Sequence, residues 1–123
     1  VQYAHARACS VLRQAGEYAA AEAAMDWLDH PAEMEVLRHL ASWPKLVISA
    51  ANAHEPHRIA FFLMDLAASF HALWTAGREA PELRFIREDD AALSAARVRL
   101  VKATALVIRS GLSVLAIEAR EEM

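Results

Sequence analysis

The chain has 123 residues, a single cysteine, three glycines and a formal net charge of −3. That is one domain, long enough to bury a core, and it excludes a disulfide-stapled fold and any Cys-x-x-Cys metal site. The total charge gives no sign of nucleic acid, and the frequent alanine with β-branched residues scattered singly or in pairs predicts an all-α protein. The first helix is expected over Val1–Tyr18, with Ala4, Ala8, Val11, Leu12 and Ala15 on one side and Gly16 ending it. From Glu17 to Glu35 there are six carboxylates and no Lys or Arg, which reads as a solvated acidic face or loop. Asp29-His30-Pro31 is a helix start, with Asp29 or His30 as N-cap and proline in the first turn. Met34, Leu37, Leu40 and Ala41 then mark a short helix that Trp43-Pro44 should break, because the residue before proline disfavours the α region. Leu46, Val47, Ala50 and Ala51 mark another short helix up to His54.

The clearest period in the chain lies in Glu55–Trp74, EPHRIAFFLMDLAASFHALW. Ile59, Phe62, Leu63, Leu66, Phe70, Leu73 and Trp74 recur at helical spacing and form one apolar stripe. Pro56 suits the first helical turn, Glu55 the positive end of the dipole, and Gly77 the far end. Arg78–Asp90 reads as an exposed, charged connection, with Asp89 or Asp90 capping the final helix. There Val101, Ala105, Ile108, Leu112 and Leu115 form a second stripe. Arg97, Arg99, Lys102 and Arg109 are the charges of that helix, and no carboxylate lies between Ala91 and Ile117, so it offers a positive strip. Any of these arginines can instead pair with the acidic stretch at Glu17–Glu35. The expected architecture is a single bundle of about five helices over residues 1–123.

The remaining chemistry is sparse. His54-Glu55-Pro56-His57, with His71 further on, departs from the H-E-x-x-H spacing that puts two imidazoles on one ion, so no metal site is expected. Ser10, Ser49, Ser69 and Cys9 sit in alanine-rich helical sequence without a glycine elbow, so no catalytic nucleophile is expected, and Cys9 reads as a small core residue. No apolar run approaches the roughly 20 residues of a membrane span and no leader opens the chain, so a cytoplasmic protein with no membrane partner is expected. The helix-like start without methionine suggests a piece of a longer protein. Phe70 and Trp74, one turn apart beside His71, admit two readings: core rings, or platforms for unpaired bases.

Four separated motifs, VQYAHAR at Val1–Arg7, EPHRIAFFLMDLAASFHALW at Glu55–Trp74, ARVRL at Ala96–Leu100 and GLSVLAIEAREEM at Gly111–Met123, resemble the C-terminal anticodon-binding (DALR) domain of arginyl-tRNA synthetase, a class I enzyme. The resemblance covers nearly the whole chain. It departs from the family's pattern where Ala116 replaces a glycine, Arg120 a proline and Glu122 an arginine, and where Phe70 stands for a frequent tyrosine. The resemblance implies contact with the anticodon stem-loop of tRNA(Arg) through Phe70, His71, Trp74 and Met123, with Glu122 bordering the base pocket. Tyr3 and Arg7 would assist from the first helix, while Arg97, Arg99, Lys102 and Arg109 would neutralise phosphates. No DNA partner is implied. Class I ATP-binding signatures are absent from these 123 residues, so ATP and Mg, like arginine activation, would belong to a catalytic domain elsewhere in the same chain, with no cofactor here. Two alternatives are the DALR domain of a glycyl-tRNA synthetase β subunit and a helical interaction domain docking through Trp27, Trp43 or Trp74.

Overall fold

The computed structural model describes residues 1–16, 18, 28–117, 119 and 121. Those residues form four α-helices, α1 (Gln2–Ala15), α2 (Pro31–Ala53), α3 (His57–Glu79) and α4 (Ala91–Val114), with a short 3-10 turn at Pro81–Leu83 and no strand among them. The helix count is therefore one fewer than the sequence predicts. The difference lies at Pro44, which sits inside one continuous α2.

An interior proline costs roughly 3 kcal/mol through its lost N–H and its clash with the preceding turn. Here tertiary packing outweighs that cost. Val36, Leu40, Trp43, Val47 and Ala50, at spacings of four and three, pack against the core from both sides of the proline. Trp43 itself stacks on Phe62 of α3 with ring centroids 5.4 Å apart. Near the proline, Ser42 Oγ donates to the His39 carbonyl at 2.8 Å.

The helix ends follow local chemistry. His30 N-caps α2, its Nδ1 accepting from the Ala32 N–H at 3.1 Å, while the His30 N–H donates to Glu33 Oε1 at 3.3 Å. His54 is the left-handed C-cap of α2 at φ 54°. Asp90 caps α4, accepting from the Leu93 N–H at 3.1 Å. At the far end of α4 the Ile117 N–H donates to the Leu112 carbonyl at 2.8 Å and the Ala116 N–H to the Ser113 carbonyl at 3.0 Å. This is a Schellman closure, and it puts Ala116 at φ 59°, where glycine costs nothing and an L side chain is strained.

Helix α3 touches the other three helices and supplies the fully buried Leu63, Leu66, Phe70 and Leu73. By length and composition it is apolar enough to cross a membrane, contrary to the expectation from the sequence, but those side chains are spent on the core. Gly77 does not end α3. It is buried within the helix, and a Cβ there would lie 3.1 Å from the Leu83 carbonyl oxygen and 3.5 Å from Arg84 Cα, so its absence lets the end of the 3-10 turn lie against the helix. Gly111 of α4 gives Leu63 the same close approach. In α4, Val101, Ala105, Ile108 and Leu112 are buried as the stripe requires.

Glu33 is not part of a solvated acidic face. It is 1% exposed and pairs with Arg97 at 3.0 Å. The rest of the acidic stretch through position 27, apart from Tyr18, lies outside the described residues.

Candidate nucleic-acid interface

Tyr3 and Arg7 stand one turn apart on α1, and His71 and Trp74 stand one turn apart on α3, so each pair shares a helix face. Where the two helices meet, the pairs converge. The Arg7 guanidinium donates to the Tyr3 hydroxyl at 3.1 Å and to His71 Nδ1 at 3.0 Å. It also lies 4.2 Å from the Tyr3 ring centroid and 5.0 Å from that of Trp74. Stacked planar cations of this kind retain charge while losing freedom. Tyr3 and His71 are 5.8 Å apart, centroid to centroid.

Arginine carries only donors, so His71 Nδ1 must accept, and the imidazole proton sits on Nε2. Burial, then the neighbouring Arg7 charge, holds the His71 pKa below its ordinary value. The imidazole is therefore neutral at pH 7 and presents one N–H donor.

Beside this cluster runs an open groove of about 530 Å³ lined by Tyr3, Arg7, Arg13, Trp74 and Arg78, with Glu121 at its border. Glu121 pairs with Arg109 at 2.9 Å through two exposed side chains, an arrangement worth at most about 1 kcal/mol. Arg13 donates to the neutral Glu121 carbonyl at 3.3 Å, so its charge stays uncompensated by that bond. The Trp74 indole N–H is buried and has no hydrogen-bond partner among the described residues.

Other expected residues stand elsewhere. Phe70 is 1% exposed and stacks on Phe85 at 5.8 Å with the rings 9° from parallel. It is a core ring and leaves no face for a base, which corrects its assignment as an RNA contact. Arg97 requires the same correction. It is 4% exposed, and its guanidinium is consumed by Glu33, by the Glu82 carbonyl at 2.8 Å and by the Arg84 carbonyl at 2.9 Å. Arg99 and Lys102 are exposed on α4. Glu122, Met123 and Trp27 lie outside the described residues. Cys9 is half-buried and not fully in the core, and burial pushes its thiol pKa up. Among the described residues no group of three His, Cys, Asp or Glu side chains is placed to hold a metal ion.

Sequence reasoning missed Arg13 and Arg78 in this groove, and Arg84 in the segment that lines the cleft next to it. Arg78 was legible, since it follows Trp74 by one helical turn. Arg84 sits in an irregular segment where no period speaks.

Fold and groove together define a class: a helical module that gathers rings and arginines along one open groove. The chain belongs to the DALR anticodon-binding domain family, whose model it matches over residues 1–123. It is similar to the arginine-tRNA ligase of Rhodospirillum rubrum, at 51% identity over 133 residues, covering 100% of this chain and 22% of that protein. The arginine-tRNA ligase of Xanthobacter autotrophicus is 51% identical over 132 residues, with the same coverage of 100% and 22%. Among solved structures, the Thermus thermophilus arginyl-tRNA synthetase superposes with a TM-score of 0.78 at 32% identity, over 99% of this chain and 20% of that one. The chain thus spans about a fifth of the length of these relatives.

Proposed function

We propose that this chain is the tRNA-binding domain of an arginine-tRNA ligase, and that it grips the anticodon stem-loop of tRNA(Arg) without performing chemistry itself. The observation that carries this reading is the convergence of Tyr3, Arg7, His71 and Trp74 at one groove. Tyr3 and Trp74 supply ring faces, His71 a fixed donor for an acceptor on a base edge, and Arg7, Arg13 and Arg78 positive charge along the strand. Exposed Arg99 and Lys102 add phosphate attraction at longer range. Arginine activation with ATP and Mg, in the cytoplasm, falls to a catalytic domain of the same chain. The relatives named above are arginine-tRNA ligases, which favours this reading over a glycyl-tRNA synthetase β subunit. Protein docking through Trp43 or Trp74 is disfavoured, because Trp43 is stacked on Phe62 and Trp74 is half-buried among charged neighbours.

The test is Trp74→Ala in the full-length enzyme. A lost base stack costs about 1–3 kcal/mol, so tRNA(Arg) binding or charging should weaken roughly fivefold or more while arginine and ATP binding stay intact. Unchanged tRNA kinetics in a folded variant would remove Trp74 from the interface and return it to the core.

A further inference from the structure

A second cleft, of about 400 Å³, adjoins the groove and shares two of its walls, Trp74 and Arg78. Its other sides are Gln14 of α1 and the segment carrying Arg84 and Phe85, between the 3-10 turn and α4. A volume of this order lies in the range of small-ligand sites. Phe85 and Trp74 line it as rings 6.2 Å apart and tilted at 46°.

Its charges are unspent. Arg87 is taken by Asp89 and Arg97 by Glu33, whereas the guanidinium groups of Arg78 and Arg84 have no hydrogen bond or ion pair among the described residues. Both are exposed. Nor is the segment that carries Arg84 loosely held. Arg97 clamps the Glu82 and Arg84 carbonyls at 2.8 and 2.9 Å, and the missing side chain at Gly77 seats the Leu83 carbonyl against α3. Holding a cation in place before binding reduces the ordering cost of binding.

We propose that this cleft is a second nucleotide subsite, taking the unpaired nucleotide next to the one on Tyr3 and Trp74. Its base packs against Phe85 and Trp74, and its phosphate sits between Arg78 and Arg84. The proposal rests on the reading of the groove as an RNA interface. Continuity through Trp74 favours a nucleotide over a protein carboxylate, to which the same two arginines are also suited.

The experiment measures tRNA(Arg) binding by the full-length enzyme at several salt concentrations, for wild type, Arg84→Ala, Arg84→Gln and Trp74→Ala. One phosphate contact on single-stranded nucleic acid contributes about 0.7 to the log–log salt slope, or about fourfold in affinity at physiological salt. Both Arg84 variants should lose that affinity and that slope. Ethylation of one anticodon-loop phosphate should impair binding to wild type more than to the Arg84 variants, which keep only the Arg78 contact to it; equal impairment of wild type and variants at every loop phosphate would refute the contact. If Trp74→Ala is defective while both Arg84 variants bind with wild-type affinity and slope, the second subsite is refuted and the groove stands; this is also the outcome expected of a protein-carboxylate site. If Trp74→Ala and the Arg84 variants all bind like wild type, the RNA reading of the groove itself fails.

Discussion

Replacing Arg97 with methionine separates a structural role from the phosphate contact that its sequence context suggests. In the fold its guanidinium donates to Glu33 Oε2 at 3.0 Å and to two backbone carbonyls, with side-chain exposures of 5% for Arg97 and 1% for Glu33. Methionine preserves much of the stem but strands the Glu33 carboxylate in the interior. Breaking such a pair from one side costs about 3–5 kcal/mol, a large share of the roughly 5–15 kcal/mol that holds a typical domain together. Urea titration of the 123-residue chain, followed by far-ultraviolet circular dichroism, measures the loss directly. The double variant Arg97→Met with Glu33→Gln should recover much of it, because no charge then remains buried while the glutamine oxygen still accepts from the His30 N–H. Arg97→Lys should fall between, since an ammonium cannot reproduce the planar fork that serves three acceptors. A loss below about 1 kcal/mol for Arg97→Met, or a drop in tRNA salt slope with stability unchanged, would refute the reasoning and restore Arg97 to the surface.

Three further outcomes follow from the same geometry. Ala116→Gly should stabilise the chain by about 1 kcal/mol, since the residue occupies the left-handed position of a Schellman closure; no gain in thermal midpoint would mean that the closure does not hold. Pro44→Ala should also stabilise, by up to about 3 kcal/mol, because Pro44 is exposed and contributes only a broken helix bond; a loss on denaturant titration would contradict this. The third concerns pH. His71 has a lower pKa in the folded chain than in the unfolded one, through burial and Arg7, so the unfolded state binds the extra proton and stability falls as pH drops below about 6.5. Protonation of the folded imidazole, which comes at lower pH because its pKa is lowered, also removes the acceptor that Arg7 uses, so tRNA affinity should decline only below the onset of the stability loss, and His71→Phe should flatten that part of the stability profile. An identical acid dependence with and without the imidazole would exclude this role.

The helices, the cap regions at Asp29–His30 and Asp89–Asp90 and the α3 stripe were legible because each depends on neighbours within a few positions, while the choice of His30 and Asp90 within those pairs was the structure's. Pro44 misled for the same reason. The local rule that breaks helices there is sound, but the stripe running from Val36 through Ala50 packs on α3 and outweighs it. Half of the candidate site was legible too. Tyr3 with Arg7, and His71 with Trp74, are same-face pairs by helical spacing alone. That the two pairs touch is a matter of how α1 docks on α3. Phe70 and Trp74 are equivalent in the sequence, four residues apart on one stripe, and only the position of Phe85 decides that the first is sealed and the second borders a groove.

Residue types and periods alone determined an all-helical domain, its central rod and the motifs that mark its family, since these are properties of faces and spacings along one chain. Tertiary structure decided where charge is spent. Arg97 and Glu33 are 64 positions apart, and no local pattern distinguishes a buried partner from a solvated one, because the energy that separates them comes from the water that folding removes.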